Sequence, residues 1–137
     1  GKLMTAVKLG GKGKVTETHV AWERRRSLPY VPTPIAYGDH LYLWLDNGIV
    51  VCVDAKTGAE QWNERVGRGD FSSSPVCIAG KIYCSSRTGE FTVIDASPVF
   101  KMHGRSQLGE STHSTPAVSN GRMFIRGFEH LYCLEAK

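Results

Sequence analysis

The longest apolar stretches of the chain are LYLWL at 41–45 and IVVCV at 49–53, two runs of five that do not alternate with polar residues. A strand exposed on one face alternates, so uninterrupted runs this short mark strands covered on both faces. The turn dipeptides Asn47-Gly48, Ala79-Gly80, Thr88-Gly89 and Asn120-Gly121 separate such runs. Glycine and asparagine tolerate the positive φ that a tight hairpin demands. No window carries a 3.6-residue apolar period, which predicts an all-β chain.

The same plan recurs along the sequence. Thr33-Pro34, Ser74-Pro75 and Thr115-Pro116 stand 41 residues apart. After each proline comes a turn glycine (Gly38, Gly80, Gly121), then an apolar pair ending in an aromatic (Leu41-Tyr42, Ile82-Tyr83, Met123-Phe124). A second apolar run closes on an acid and an alanine: Asp54-Ala55, Asp95-Ala96, Glu135-Ala136. The acids are 41 and then 40 residues apart, so the third copy is one residue shorter in a turn. A period of about 40–45 residues built from short strands predicts β-propeller blades, because a helical array of that period needs long amphipathic segments. Blades sandwiched between neighbours also account for the runs that do not alternate.

The fullest copy contains DAKTGAEQW at 54–62. Asp54 and Thr57 carry side chains that bond their own turn, Gly58 supplies the permissive φ, and Trp62 is a large flat ring suited to the groove between neighbouring blades. Trp22 precedes Pro34 by 12 residues as Trp62 precedes Pro75 by 13, so VTETHVAWE at 15–23 reads as the outermost strand of a preceding blade. Residues 1–14 read as a flexible segment, and 15–137 as blade material with repeats at about 31–66, 73–108 and 114–137. The second repeat has a degraded outer strand, with SPVFK at 97–101 in place of the Thr-Gly turn and the tryptophan.

Ser/Thr-Pro, four or five residues, Gly-x-hydrophobic-Tyr/Phe, then Asp-Ala-x-Thr-Gly-x-x-x-Trp resembles the repeat of the PQQ-like β-propellers over about residues 15–137. That superfamily includes quinoprotein alcohol dehydrogenases and the outer-membrane assembly lipoprotein BamB. The resemblance implies four-stranded antiparallel blades, in which Trp22, Asp54, Ala55, Thr57, Gly58, Trp62, Asp95 and Glu135 are structural motif residues. It also implies a non-catalytic scaffold that binds a protein or peptide partner in a periplasmic or otherwise extracytoplasmic setting. The alternative is a fragment or diverged relative of a PQQ-dependent dehydrogenase. In those enzymes the quinone lies between a vicinal disulfide and a tryptophan, beside a calcium ion and an aspartate base. Here Cys52, Cys77, Cys84 and Cys133 are all separated and no acidic and amide cluster resembles a calcium site. No catalytic, cofactor-binding or metal-binding residue is therefore assigned.

Charge and single residues change this picture little. Of the formal charge of +4, residues 1–26 carry +5, with seven Lys or Arg against two Glu, and the rest of the chain −1. Without interleaved aromatics this reads as a solvated segment and not as a nucleic-acid surface. No apolar run approaches the ~20 residues of a membrane span, and no signal peptide is visible. The cysteines read as buried free thiols acting as small apolar residues. His19, His40, His103, His113 and His130 show no ligand spacing and no nearby Asp partner, so they read as surface or turn residues. The hydroxyl-rich runs at 72–74 and 111–115 each precede a first strand, where small residues suit a crowded inner position.

Counting strands gives one outer strand, two blades of four and a last blade of three, the material of three blades. A ring needs at least about four. The expectation is a homodimer closing a six-bladed ring, each N-terminal strand completing the partner's last blade. For the fold itself, the expected result is a far-UV circular dichroism spectrum free of helical minima; clear helical minima would exclude a propeller.

Overall fold

The computed structural model describes residues 2–135. It holds thirteen strands and, among these residues, no helix. In chain order they are β1 (Met4–Val7), β2 (Val20–Arg24), β3 (Ile35–Tyr37), β4 (His40–Trp44), β5 (Ile49–Asp54), β6 (Glu60–Arg65), β7 (Val76–Ile78), β8 (Lys81–Ser85), β9 (Glu90–Asp95), β10 (Met102–Gln107), β11 (Ala117–Ser119), β12 (Arg122–Arg126) and β13 (Leu131–Glu135). They form four antiparallel sheets in sequence order: β1-β2, β3-β4-β5-β6, β7-β8-β9-β10 and β11-β12-β13. Each sheet is a meander of neighbours, the construction of a propeller blade. Ala136, the last member of the acid-alanine series, lies outside the described residues.

The non-alternating runs are covered on both sides. Leu43, Leu45, Val51 and Val53 form one buried cluster, packed by Met4 of the first sheet. On the opposite face Tyr42, Trp44, Val50, Cys52 and Trp62 join Ile82, Cys84 and Ile94 of the third sheet. Two successive residues of β5 thus enter two different interfaces, so a polar residue at either position would be buried without a partner.

Each tryptophan of the repeat seals one interface. Trp62, 9% exposed, lies opposite Cys52 in the ladder, and its ring meets Phe100 of the next blade edge-on at 5.1 Å between centroids. The indole Nε1 donates to the Ser97 carbonyl of that blade at 3.0 Å. Trp22 repeats the device one blade earlier, donating to the Ala55 carbonyl at 3.0 Å. Its ring lies over Gly58, where a Cβ would sit 2.7 Å from the indole, so Gly58 serves close approach as well as its φ of +75°.

Near the inner edge the 41-residue period becomes a hydrogen-bond step. The Thr33 N–H donates to Ser74 Oγ at 2.9 Å, and the Ser74 N–H donates to Thr115 Oγ1 at 2.9 Å. The hydroxyls before Pro75 and Pro116 thus each accept from the preceding blade. Behind them Ser73 Oγ donates to the Ser85 carbonyl at 2.7 Å, matched one blade on by Ser114 Oγ and the Arg126 carbonyl at 2.8 Å.

Several expectations need correction. Met4–Val7 is a strand and not part of a flexible segment; it pairs antiparallel with β2, Ala6 opposite Trp22. The arginine run is not a free tail either, since Arg24 reaches Glu60 of β6 at 2.6 Å. The second repeat's outer strand is a full six residues, Met102–Gln107, because ladder pairing needs backbone groups and not the tryptophan. Its register shifts between Met102 and Gly104. All four cysteines are free, but Cys133 is exposed, since β13 ends its sheet with no neighbour outside it.

The strand-exchange dimer loses its geometry as well. β1 occupies the inner edge of β2, the edge that the partner's β13 would need. Thirteen strands per chain also exceed the twelve of three four-stranded blades. The Trp62 wedge gives a direct test of inter-blade packing. Trp62→Ala should lower stability by about 3–5 kcal/mol, the range for losing a buried large aromatic; urea unfolding of the two proteins measures it, and unchanged midpoints would show that the ring carries no packing energy.

Candidate functional site: the loop end of the blades

The motif acids lie at one end of the blades and do three different jobs. Asp54 Oδ1 accepts the Thr57 N–H at 2.7 Å, the Thr57 hydroxyl at 2.7 Å and the Lys56 N–H at 3.0 Å. These bonds, led by the Thr57 hydroxyl, hold the Asp54 carboxyl below the usual range. Asp95 has no such turn; its Oδ1 lies 2.5 Å from His103 Nε2, and that contact lowers its pKa. Glu135 faces Arg122 across the β12-β13 ladder at 3.5 Å. Each acid stays within its own blade, and with Trp22, Ala55, Thr57, Gly58 and Trp62 they make turns and inter-blade seals, not one convergent cluster.

The opposite end holds what sequence reasoning missed. Antiparallel meanders place there the β2-β3, β4-β5, β6-β7, β8-β9, β10-β11 and β12-β13 connections, and backbone bonds lace them between blades. Phe71 N–H donates to the Asp46 carbonyl at 2.8 Å, and Thr112 N–H to the Arg87 carbonyl at 3.2 Å, the same bond 41 residues on. Arg87 N–H to Asp70 (2.8 Å) and Phe128 N–H to Ser111 (3.1 Å) repeat in the same way. Carboxylates clamp the outer members. Asp46 accepts the Tyr30 and Val31 N–H groups at 2.7 and 3.0 Å. Glu110 accepts the Glu129 and His130 N–H groups at 2.6 and 3.2 Å, with His130 Nδ1 at 3.1 Å.

On this fixed frame two large aromatics face water, Tyr30 at 79% and Phe128 at 61% exposed. The His113 ring stands edge-on to Phe128, 5.1 Å between centroids, and exposed Arg68, Asp70 and Arg87 lie on the loops between. No local signal exposes this constellation, since Glu110 and His130 are 20 residues apart; the expectation that no histidine has a nearby Asp partner fails at His103, which meets Asp95. The ligand atoms of Glu110, Glu129 and His130 come within 4.8 Å of one another. Both Glu110 oxygens already accept amide protons, so the group works as a loop clamp.

The two buried thiols, Cys52 and Cys84, are unsuited to redox or nucleophilic work. Burial pushes Cys52 up to about 11 and Cys84 up to about 12, far from the thiolate form.

These sheets, with their period and their indole seals, define a PQQ-like propeller. The family model described as outer membrane protein assembly factor BamB matches residues 14–99, and the chain belongs to that family. Among solved structures it is similar to BamB from Moraxella catarrhalis, with a TM-score of 0.65 and 17% identity over 85% of this chain and 36% of that one. A europium-containing methanol dehydrogenase gives 0.61 and 12%, over 80% of this chain and 22% of that one. The quinohemoprotein alcohol dehydrogenase ADHIIG from Pseudomonas putida HK5 gives 0.53 and 21%, over 69% and 16%. The chain thus spans about a third of the length of the BamB structure and less of the two dehydrogenases. No curated protein matches.

Glu110 makes this end acid-sensitive. The Glu129 amide, first among its donors, lowers its pKa from 4.5 to about 2. A depressed carboxylate stabilises above its unfolded pKa and loses that contribution as pH falls through the folded value. The 127–130 loop should therefore hold at pH 5 and loosen from about 4.5 towards about 2. Amide chemical shifts of Glu129 and His130 followed against pH report it, and Glu110→Gln should remove the transition; a Glu110 titrating near 4.5 would contradict the clamp.

Proposed function

We propose that the chain is a non-catalytic PQQ-like propeller unit that serves as a protein-binding or assembly scaffold outside the cytoplasm, with the loop end as its contact face. The observation that carries this reading is the pairing of exposed Tyr30 and Phe128 with a frame of backbone bonds and carboxylate clamps. Rigid aromatic anchors bind with little ordering cost, which suits an interface hot spot. Membership of a family described by an assembly factor supports the same reading. Among the described residues no helix is long and apolar enough to cross a membrane.

A second reading, a diverged PQQ-dependent dehydrogenase, draws on the likeness to two dehydrogenases. The separated cysteines cannot form the vicinal disulfide that such a site uses. Self-association stays within the proposal without strand exchange: the outer faces of the first and fourth sheets need cover, from further blades or from a second copy.

A photo-crosslinking amino acid at Tyr30 or Phe128, in cells, should give discrete protein adducts. The same group at Val99, 74% exposed but at the opposite end, should give none. Adducts only from Val99, or none at all, would overturn the contact face. Calorimetric titration with PQQ and calcium should show no binding, and calcium-dependent micromolar binding would establish the dehydrogenase reading instead.

A further inference from the structure

The third and fourth sheets meet differently from the others. In the first two sheets the ladder places Trp22 opposite Ala6 and Trp62 opposite Cys52. The third sheet has Val93 where Cys52 stands 41 residues earlier, and its ladder partner is Gly104. A Cβ there would meet nothing within 4 Å. The tryptophan-sized wedge is missing, and a cleft of about 510 Å³ lies between the two sheets. Its walls are apolar, with Tyr83, Phe91 and Val93 on one side and Val118, Ile125 and Leu134 on the other. Arg122 and Glu135 also line it, paired at 3.5 Å. The cleft lies between strand faces and includes neither Tyr30 nor Phe128, so it is independent of the proposed contact face.

We propose that this cleft is a binding site for a free, small, flat aromatic molecule of the indole class. The chain itself shows which chemistry fits. At the two corresponding interfaces an indole ring sits between the blades, Trp22 over Gly58 and Trp62 against Tyr42 and Phe100, and each donates its one N–H to a carbonyl oxygen of the next blade. In the cleft the Glu135 carboxylate is the acceptor for such an N–H, and the Arg122 guanidinium offers a flat cationic surface for the ring. The volume falls within the range of small-molecule pockets, about 300–1,000 Å³.

The probe is indole, titrated into the full chain and followed by methyl chemical shifts. Saturable shifts are expected at Val93, Val118, Ile125 and Leu134, with none at Val51, which is buried in the interface between the first and second sheets. Val118→Trp should fill the cleft and abolish the saturable response. Ser106→Trp, an exposed β10 side chain that also lines the cleft, serves if the first variant does not fold. Leu131→Trp, exposed and outside the lining, should bind indole as the parent does. Shifts that grow linearly without saturating, or unchanged half-saturation in both cleft-filling variants, would overturn the proposal. Occupancy by a peptide side chain instead would show as saturation by a tryptophan-bearing peptide and no response to free indole, which also defeats it.

Discussion

A blade of this protein has two apolar faces and no interior of its own, so every sheet depends on the sheet beside it. Apolar burial supplies most of that dependence, at roughly 25 cal/mol per Å² of surface removed from water. Burial is non-directional, however, and would not fix one sheet against the next in a single register. The directional part is small and repeated: Ser74 and Thr115, each before a proline, accept an N–H from 41 residues earlier, and an indole N–H reaches a turn carbonyl of the following blade. Each such bond is worth only about 1 kcal/mol net. Their regular placement converts sticky faces into a fixed stack, and the loops at one end inherit that rigidity.

The repeat was legible because its signals are local and occur at fixed offsets. Prolines, turn glycines and the acids at 54, 95 and 135 can be counted without knowing what they touch. β1 was not legible, because four residues ahead of a glycine- and lysine-rich loop have no pattern of their own; only pairing with β2 makes Met4–Val7 a strand. β10 looked degraded for a related reason. Its motif side chains are gone, yet Thr92 still pairs with Arg105 and Phe91 with Ser106 through backbone groups that every sequence carries.

Site chemistry was harder to read for a physical reason. A meander returns the chain to the same end every two strands, so Glu110 and the 129–130 amides meet across a whole β11-β12 hairpin. Nothing in the sequence around either partner announces the other. Asp95 and His103 show the same difficulty over a shorter span: eight residues apart, they meet across the β9-β10 connection, where SPVFK stands in place of the Thr-Gly turn and the ladder runs one residue out of step with that of β5-β6.

The three acids show how a repeat loosens its hold on side chains while keeping its backbone. Asp54 closes a turn, Asp95 holds a histidine and Glu135 faces an arginine, although all three end the third strand of their sheet. Where a position tolerates three different jobs, its identity says little about what the protein recognises. The loop end is under a different constraint. There the lacing bonds are made by backbone groups, such as Phe71 to Asp46 and Thr112 to Arg87, so the side chains at those positions vary without loss of the frame. Tyr30, Arg68, Arg87 and Phe128 occupy loops whose geometry is already fixed by other atoms. A fold that fixes its loops through the backbone can change what those loops present with little cost in stability, and that freedom is the physical ground for proposing that end of the blades as the contact face.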